Sequence, residues 1–352
     1  MAGIRSIGWW VPPGRRDAQG IADDYGLARD AISRLGIYEK TVPGDDDHPS
    51  TMGARATRHA LAAAGLAVDD LDLLVFAGVT RDWPAPWVAA FGVLHELRSR
   101  AAGLDVANRC AGAIDALWLA RALVDSGMYR HVAVCCADRY DHVLGPRGRP
   151  AELVTDAAYA AGAATAIVSA DAGNELVAFS QITNPDLSAH HVGGPIAGGT
   201  RCPVDAAAVQ ERLQLWRARM SIACAARIAA YSADADRHNY RALFARTGWD
   251  GVDFVACSPM IPGPQLDVLR ELGIDAAATC FTIPLLGHIG PADLLLILGI
   301  ATAAGRRVGP RATMSVRTPV YASALALAAR GDGLAIRTAG EGLDVTRWAD
   351  AG

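Results

Sequence analysis

The sequence predicts an α/β protein built from two similar halves. Helical spacing of apolar residues covers Thr51 to Gly65 and is followed by LDLLVFAGV, a buried-strand pattern. The same order returns much later, with a helical pattern from Tyr240 to Thr247 and then the strand VDFVACSP. Aligning Asp72 with Asp253 sets the halves in register. Strands that alternate with helices predict largely parallel sheets with helices on their faces.

The repeat continues through a second strand, a loop and a helix. HELR near Leu97 corresponds to RELG near Leu272, after which come LDVANRCAGAIDAL in one half and ATCFTIPLLGHIGPAD in the other. The offset is 181 residues at the strand and 175 at the helix, which projects Cys110 onto positions 285–291 around His288. The cysteine loop and the histidine loop are therefore predicted to be equivalent loops, brought together where the halves meet.

Each half closes with further strands. The first contributes VAVCCAD and ATAIVSA, and the second contributes ATMSVRT and SALALAA. The turn-rich segment from about Ser180 to Val204 is predicted to be a loop over or beside the centre.

Composition excludes several classes of protein. The chain has 352 residues, 51% hydrophobic and 20% charged, and a net charge of -4, so a large core is expected and neither nucleic acid nor an acidic membrane is an expected partner. The start lacks the pattern of a signal peptide, and the longest apolar run, Leu294 to Ala304, is too short to span a bilayer. These features predict a cytoplasmic protein.

Cysteine usage argues against disulfides and metal. The number of cysteines is odd, seven, in a large chain without a secretion signal, and none has zinc-site spacing with another cysteine or a histidine. No metal site is therefore expected. Lys40 is the only lysine, which excludes most lysine-based chemistry.

Cys110 is the first candidate for chemistry. It precedes AGAIDALWLARALVDSG, whose helical spacing ends at Gly127. A thiol at a helix start lies at the positive end of the helix dipole, which favours the thiolate, and the backbone amide of the turn could donate to an oxyanion. The alternative is a small buried thiol, a common role of free cysteine.

His288 and Asp293 lie in GHIGPAD, before and at the start of the next helix. Pro291 suits a first helical turn, and Asp293 beside it suits an N-terminal carboxylate. The aspartate could simply cap the helix. It could instead hold the His288 imidazole in one tautomer and stabilise its protonated form, as the acid of a catalytic triad does.

Other candidates are weaker. Cys135 and Cys136 lie in a buried-strand pattern and are predicted core, whereas Cys257 and Ser258 end a strand and could line a pocket or form a turn. A second set could bind substrate, with solvated loop or surface positions as the alternative: Trp83 and Trp87 as a wall near a dimer contact or acyl tunnel, and His190 and His191 in the turn-rich loop.

The motifs, taken in order, resemble those of ketoacyl-ACP synthase III proteins. IRSIGWWVPPGR is similar to their first strand and turn, GIYEKTV to an early Gly-Ile-x-Glu-Arg segment, and NRCAGAIDAL to their Ala-Cys-Ala-Gly-Phe nucleophile turn. SGMYRHVAVCCAD, TDAAYAAGAATAIVS and YASALAL follow their later strands. The resemblance implies the thiolase fold, a five-layered αβαβα arrangement of duplicated halves. Residues 1–174 would carry the nucleophile and residues 175–352 the histidine and aspartate, usually in a homodimer.

Two departures from the family bear on the reaction. Condensing members carry a histidine in a Pro-His-Gln-Ala-Asn motif after the strand that here reads DFVACSPMIPG, and an asparagine in a Gly-Asn motif where this chain has Gly287 and His288. That pair supports decarboxylation of a malonyl thioester, and it is absent here. The pattern of Gly287, His288, Gly290 and Asp293 instead resembles a divergent branch of antibiotic and polyketide pathways with a Cys-His-Asp triad.

The resemblance implies an acyltransferase of secondary metabolism. It would move an acyl group from acyl-ACP or acyl-CoA, through an acyl enzyme on Cys110, to a hydroxyl of a sugar or polyketide or to another carrier protein. Acyl-CoA or phosphopantetheinyl-ACP is the expected donor, and no permanently bound cofactor is expected. Arg212, Arg217 and Arg219 are candidates to grip the donor, although basic groups on one helix are commonly a solvated face.

Two alternatives stay open. One is a priming ketoacyl-ACP synthase III-like condensing enzyme that selects a starter acyl-CoA for a polyketide synthase. The other is a non-catalytic thiolase-fold partner in a synthase complex, against which the presence of Cys110, His288 and Asp293 counts.

Overall fold

The computed structural model describes residues 1–83, 86–141, 157–185, 222–258, 262–306, 308–318 and 321–348. Within these ranges the strands are β1 (Gly3–Trp10), β2 (Gly14–Asp17), β3 (Glu39–Val42), β4 (Leu73–Phe76), β5 (Ala102–Asp105), β6 (His131–Arg139), β7 (Ala161–Ser169), β8 (Asn174–Thr183), β9 (Phe254–Cys257), β10 (Arg311–Arg317), β11 (Tyr321–Ala329) and β12 (Arg337–Glu341). The helices are α1 (Ala18–Tyr25), α2 (Arg29–Arg34), α3 (Pro49–Ala64), α4 (Ala89–Leu97), α5 (Gly112–Asp125), α6 (Ile222–Thr247), α7 (Pro262–Glu271), α8 (Ile283–Leu286) and α9 (Ala292–Ala303).

The strand order of the large sheet repeats once. The order is β5-β4-β6-β7-β1-β8-β11-β10-β9, with β12 beside β1. In the first half, β4 pairs with β6 in parallel and β6 with β7 antiparallel; in the second, β9 pairs with β10 in parallel and β10 with β11 antiparallel. An isolated parallel bridge between Val255 and Thr279 takes the place that β5 has beside β4. The duplication predicted from the sequence is thus present as topology.

Helices cover the sheet on both sides. Helices α3 and α4 share a core with β4, β6 and β7, while α6 and α7 pack on the strands of the second half. Between them, α5 and α9 contact each other within the largest core, which contains residues of both halves. The helices that follow the cysteine loop and the histidine loop therefore lie side by side.

Helix α9 is apolar on every side because it is enclosed. Residues from Ala292 to Ala301 are all buried, so the longest apolar run of the sequence forms a central core helix. In the described part of the chain, no helix combines the length and the apolar character that a membrane span would need.

One boundary predicted from the sequence is wrong. The turn-rich segment was expected to begin at Ser180, but β8 continues to Thr183, because its last residues pair with the start of β11, where Thr183 lies opposite Tyr321. Pairing with a neighbouring strand decided the structure of these residues against their local composition. Residues 186–204 of the expected loop lie outside the described residues.

Candidate active site

Cys110 lies in a tight turn between β5 and α5. The turn Arg109–Ala111 is a single 3-10 turn, and α5 begins at Gly112 directly after it. Arg109 adopts a positive φ of 46°, and a side chain at Gly112 would approach the carbonyl of Ala77 to 3.0 Å. This backbone presents the half-buried, free thiol of Cys110 in front of the first turn of α5, as predicted.

His288 is held in the equivalent loop of the second half. Gly287 and Gly290 flank it with φ of 75° and 66°, values that favour glycine. The His288 amide donates to the Ala158 carbonyl at 2.7 Å, and the Ala160 amide donates to the His288 carbonyl at 3.0 Å. The imidazole is only 2% exposed. Main-chain hydrogen bonds therefore hold the loop in place independently of the side-chain contacts of His288.

Asp293 lies in the first turn of α9 and faces the imidazole. Its Oδ2 is 2.6 Å from His288 Nδ1, and its Oδ1 accepts the Ile289 amide at 3.0 Å. Of the two roles considered from the sequence, orientation of the histidine is therefore the one that the contacts support. A carboxylate at Nδ1 places the ring proton there and leaves Nε2 to face outward.

The thiol lies on that outward side. Cys110 Sγ is 3.4 Å from His288 Nε2, so the cysteine, the histidine and the aspartate form one continuous hydrogen-bonded line. Burial acts to lower the pKa of His288, but Asp293 and Cys110 outweigh it and hold that pKa well above its usual value. The imidazolium form is favoured at neutral pH, which suits a ring that takes up the proton of a thiol.

Ser258 joins this line and was not among the predicted catalytic residues. Its hydroxyl donates to Asp293 Oδ2 at 2.6 Å and lies 3.2 Å from His288 Nδ1. The sequence placed Ser258 only at the end of a strand, with pocket lining or a turn as its role. The usable signal was the repeat, since β9 is equivalent to β4 and its end must face the centre.

A second group of buried polar side chains lies behind the histidine. The Tyr159 ring packs on His288 with centroids 5.3 Å apart, and on Tyr140 at 4.6 Å. Burial raises the pKa of Asp138 to about 7, although its Oδ1 accepts hydrogen bonds from the Thr80 amide and hydroxyl and from the Val79 amide. Charge is therefore costly in this buried part of the site.

The structure does not place the predicted substrate-binding residues beside Cys110, His288 and Asp293. Trp83 is 66% exposed, and Trp87 packs against Gly92 of α4, so a role in substrate binding stays a prediction for both. A further set lies outside the described residues, namely His190, His191, Arg212, Arg217 and Arg219.

Four other cysteines, whose side chains the structure describes, do not resemble nucleophiles. Cys135, Cys136, Cys257 and Cys280 are free and buried, and burial raises the pKa of each, in Cys135 and Cys280 to about 11. The prediction that Cys135 and Cys136 are core residues is confirmed. Among the described residues, no cluster of histidine, cysteine, aspartate or glutamate could hold a metal ion.

This architecture is that of the thiolase fold. A solved structure of 3-oxoacyl-ACP synthase III from Pseudomonas aeruginosa matches 94% of this chain and 99% of its own, with a TM-score of 0.73 and 19% identity. A single-residue variant of OleA from Xanthomonas campestris matches 93% of this chain and 98% of its own, with a TM-score of 0.74 and 15% identity. The predicted fold class is confirmed.

Sequence comparison adds a family likeness in the first half. The family model for 3-oxoacyl-ACP synthase III matches residues 104–185. A synthase III of Sulfurovum sp. is 31% identical over 48% of this chain and 49% of its own length, and one of Chlamydia pneumoniae is 28% identical over 51% and 52%. The chain thus spans about half the length of the curated relatives it matches. It has the thiolase fold, and about half of it resembles 3-oxoacyl-ACP synthase III in sequence.

Proposed function

We propose that this protein is an acyltransferase that works through an acyl enzyme on Cys110. The observation that carries the proposal is the single line from Cys110 Sγ through His288 to Asp293, with contacts of 3.4 Å and 2.6 Å. A nucleophile, a base and an acid that orients the base are the parts that covalent acyl transfer requires. The built triad also counts against a non-catalytic partner.

The first half-reaction loads the enzyme. Cys110 Sγ attacks the carbonyl carbon of an acyl thioester while His288 Nε2 holds the thiol proton. Backbone amides of the turn at Cys110 are the candidate donors to the tetrahedral oxyanion. When the intermediate collapses, the carbon–sulfur bond of the donor breaks and His288 returns the proton to the departing thiol. An acyl-CoA or an acyl-ACP is the proposed donor.

The second half-reaction unloads it. His288 Nε2 takes the proton of an acceptor hydroxyl or thiol, whose oxygen or sulfur attacks the acyl enzyme, and Cys110 leaves as the thiol. A sugar or polyketide hydroxyl, or another carrier protein, is the proposed acceptor. Ser258 supports transfer to a heteroatom rather than condensation. It lies in the stretch that carries a catalytic histidine in condensing members, and here that stretch contributes a hydroxyl, which binds Asp293.

The second candidate is decarboxylative condensation with a starter acyl-CoA. It is favoured by one observation, the likeness of residues 104–185 to 3-oxoacyl-ACP synthase III. The two reactions are separated by loading Cys110 with an acyl-CoA and then offering either an alcohol panel or malonyl-ACP. Acylated acceptor without carbon dioxide supports the proposal. Release of labelled carbon dioxide with a 3-ketoacyl product would replace it with condensation.

Replacing Ser258 with alanine is expected to lower kcat about 10-fold, roughly 1.4 kcal/mol of barrier, because Asp293 Oδ2 loses a donor at 2.6 Å. The measurement is acceptor-dependent decay of the acyl enzyme, followed by intact mass spectrometry. Ser6→Ala removes another buried hydroxyl, which donates to the Ala60 carbonyl far from the triad, and should leave the rate unchanged. Equal losses in both variants would count against a role for Ser258.

We also propose that the chain forms a homodimer through the edge of the first half. Strand β5 ends the order of the described sheet, and Phe91 of α4 packs beside Gly103 of β5 while 57% exposed. Phe91→Glu is therefore expected to shift sedimentation from dimer to monomer. Met128→Glu, an equally polar change at a position 66% exposed elsewhere, serves as the control. A wild-type chain that sediments as a monomer would refute the proposal.

A further inference from the structure

Lys40, the only lysine of the chain, is a buried cation that the reaction does not use. It lies in β3, where the whole residue is 7% exposed. Its Nζ donates to the carbonyls of Ala157 and Tyr159, at 2.9 Å and 3.0 Å, and to the hydroxyl of Tyr25 at 3.0 Å. An ammonium group has three donors, and all three are accounted for by these contacts.

The two carbonyls belong to the segment that pairs with the catalytic histidine. In residues 157–160, the main-chain groups of alternate residues face Lys40 and His288. Lys40 binds the carbonyls of Ala157 and Tyr159 on one side, while Ala158 and Ala160 make both main-chain hydrogen bonds to His288 on the other. The Tyr159 ring also packs on the imidazole. The segment is therefore clamped between the lysine and the histidine.

Burial makes the positive charge of Lys40 costly for the fold. Burial lowers the pKa of Lys40 to about 8, against the opposing effect of Asp24 and Asp141, the charged groups that act on it most. A base whose pKa is lowered by folding destabilises the fold while it is charged, here below about pH 8, and this penalty fades as the pH rises above that value. The charge is therefore kept at a cost, and two of the three hydrogen bonds that hold it go to the segment that pairs with His288.

We propose that Lys40 is a positioning residue, which holds residues 157–160 so that the His288 imidazole keeps its place between Cys110 and Asp293. This inference rests on the proposed function, in which His288 activates Cys110. Lys40 would do so by holding the carbonyls of Ala157 and Tyr159 in place behind His288. A misplacement of about 1 Å in such a group can cost about 10²-fold in rate.

The test uses alkylation of Cys110 by iodoacetamide, located by peptide mass spectrometry, because it needs no substrate. The pH dependence of the rate is compared for the wild type, Lys40→Met and Lys40→Arg. Lys40→Met is expected to react at least 10-fold more slowly at neutral pH, with its profile displaced to higher pH. Lys40→Arg keeps a cation and is expected to restore most of the rate. With a thioester donor, kcat should fall and KM stay unchanged.

The matched control is Arg5→Met, which removes a cation that donates to the Ala64 carbonyl at the end of α3, away from the histidine. Its alkylation profile should equal that of the wild type. A folded Lys40→Met variant with the wild-type profile would overturn the proposal, as would equal losses in Lys40→Met and Arg5→Met.

If Lys40→Met does not fold, amide hydrogen exchange of the wild type tests the proposal instead. Protection of the His288 amide is measured below and above the titration of Lys40, which is followed through its own NMR signal, unique in a chain with one lysine. Protection, corrected for intrinsic rates, should fall as the lysine loses its charge, and unchanged protection would overturn the proposal. Failure of every thioester to acylate Cys110, with these effects intact, would refute the proposed function and leave the role of Lys40 standing.

Discussion

Cys110→Ala is expected to abolish the acyl enzyme completely. The sulfur atom is the group that forms the covalent bond, and alanine at this position leaves His288 with nothing to activate. A panel of acyl-CoA and acyl-ACP donors is offered to the wild type and to the variant, and intact mass spectrometry with peptide mapping locates the adduct. The wild type should gain one acyl mass on the peptide that contains Cys110, and the variant should gain none.

The control for this experiment is Cys135→Ala. Cys135 is fully buried in β6, and its burial raises the pKa of the thiol to about 11, so it cannot compete as a nucleophile at neutral pH. This variant should still form the adduct. An adduct of unchanged yield in Cys110→Ala would refute the mechanism outright, because the acyl group would then reside on another residue.

Asp293→Asn is expected to slow acyl transfer by roughly 10³ to 10⁴-fold, by analogy with loss of the acid in a catalytic triad. An amide of the same shape can present its NH₂ group to His288 Nδ1, which forces the ring proton onto Nε2 and turns it toward Cys110. The neutral side chain also removes a main cause of the raised pKa of His288. Alkylation of Cys110 at neutral pH should therefore slow, and the difference from wild type should narrow as the pH rises.

Asp17→Asn provides the matched control for a simple capping role. Asp17 caps α1 and accepts the Gly20 amide at 2.8 Å, with no histidine at its other oxygen. The variant should keep wild-type transfer and alkylation. If Asp293→Asn behaves like Asp17→Asn, with a small loss of stability and full activity, Asp293 is a structural residue.

Much of the fold could be predicted from the sequence because the same order of strands and helices occurs in both halves. The strand after Asp72 and the one after Asp253 could be paired from the sequence, and their equivalence is confirmed by the matching neighbours of β4 and β9. Buried parallel strands and enclosed helices leave strong apolar patterns, which survive when the two copies share few identical residues.

The site was predicted only as far as this repeat reached. Cys110 and His288 were paired by their equivalent loops and Asp293 by its short spacing, and the contacts at 3.4 Å and 2.6 Å place the three side chains as expected. Lys40 was missed, and Ser258 was predicted only as pocket lining or part of a turn. Each acts through a hydrogen bond to a residue at least 30 positions away, which no local pattern reveals.

The sequence by itself determined the architecture and the two loops that meet, and it predicted Cys110 as the candidate nucleophile, because periodicity and repetition are properties of the chain alone. Only the tertiary structure decided which atoms face the imidazole. The serine after β9 contacts His288 directly, whereas the lysine of β3 is linked to it through the segment that contains Ala157 and Tyr159. Tertiary packing sets the direction in which each side chain points. The partner of a hydroxyl or an ammonium group can therefore be assigned only from the folded structure.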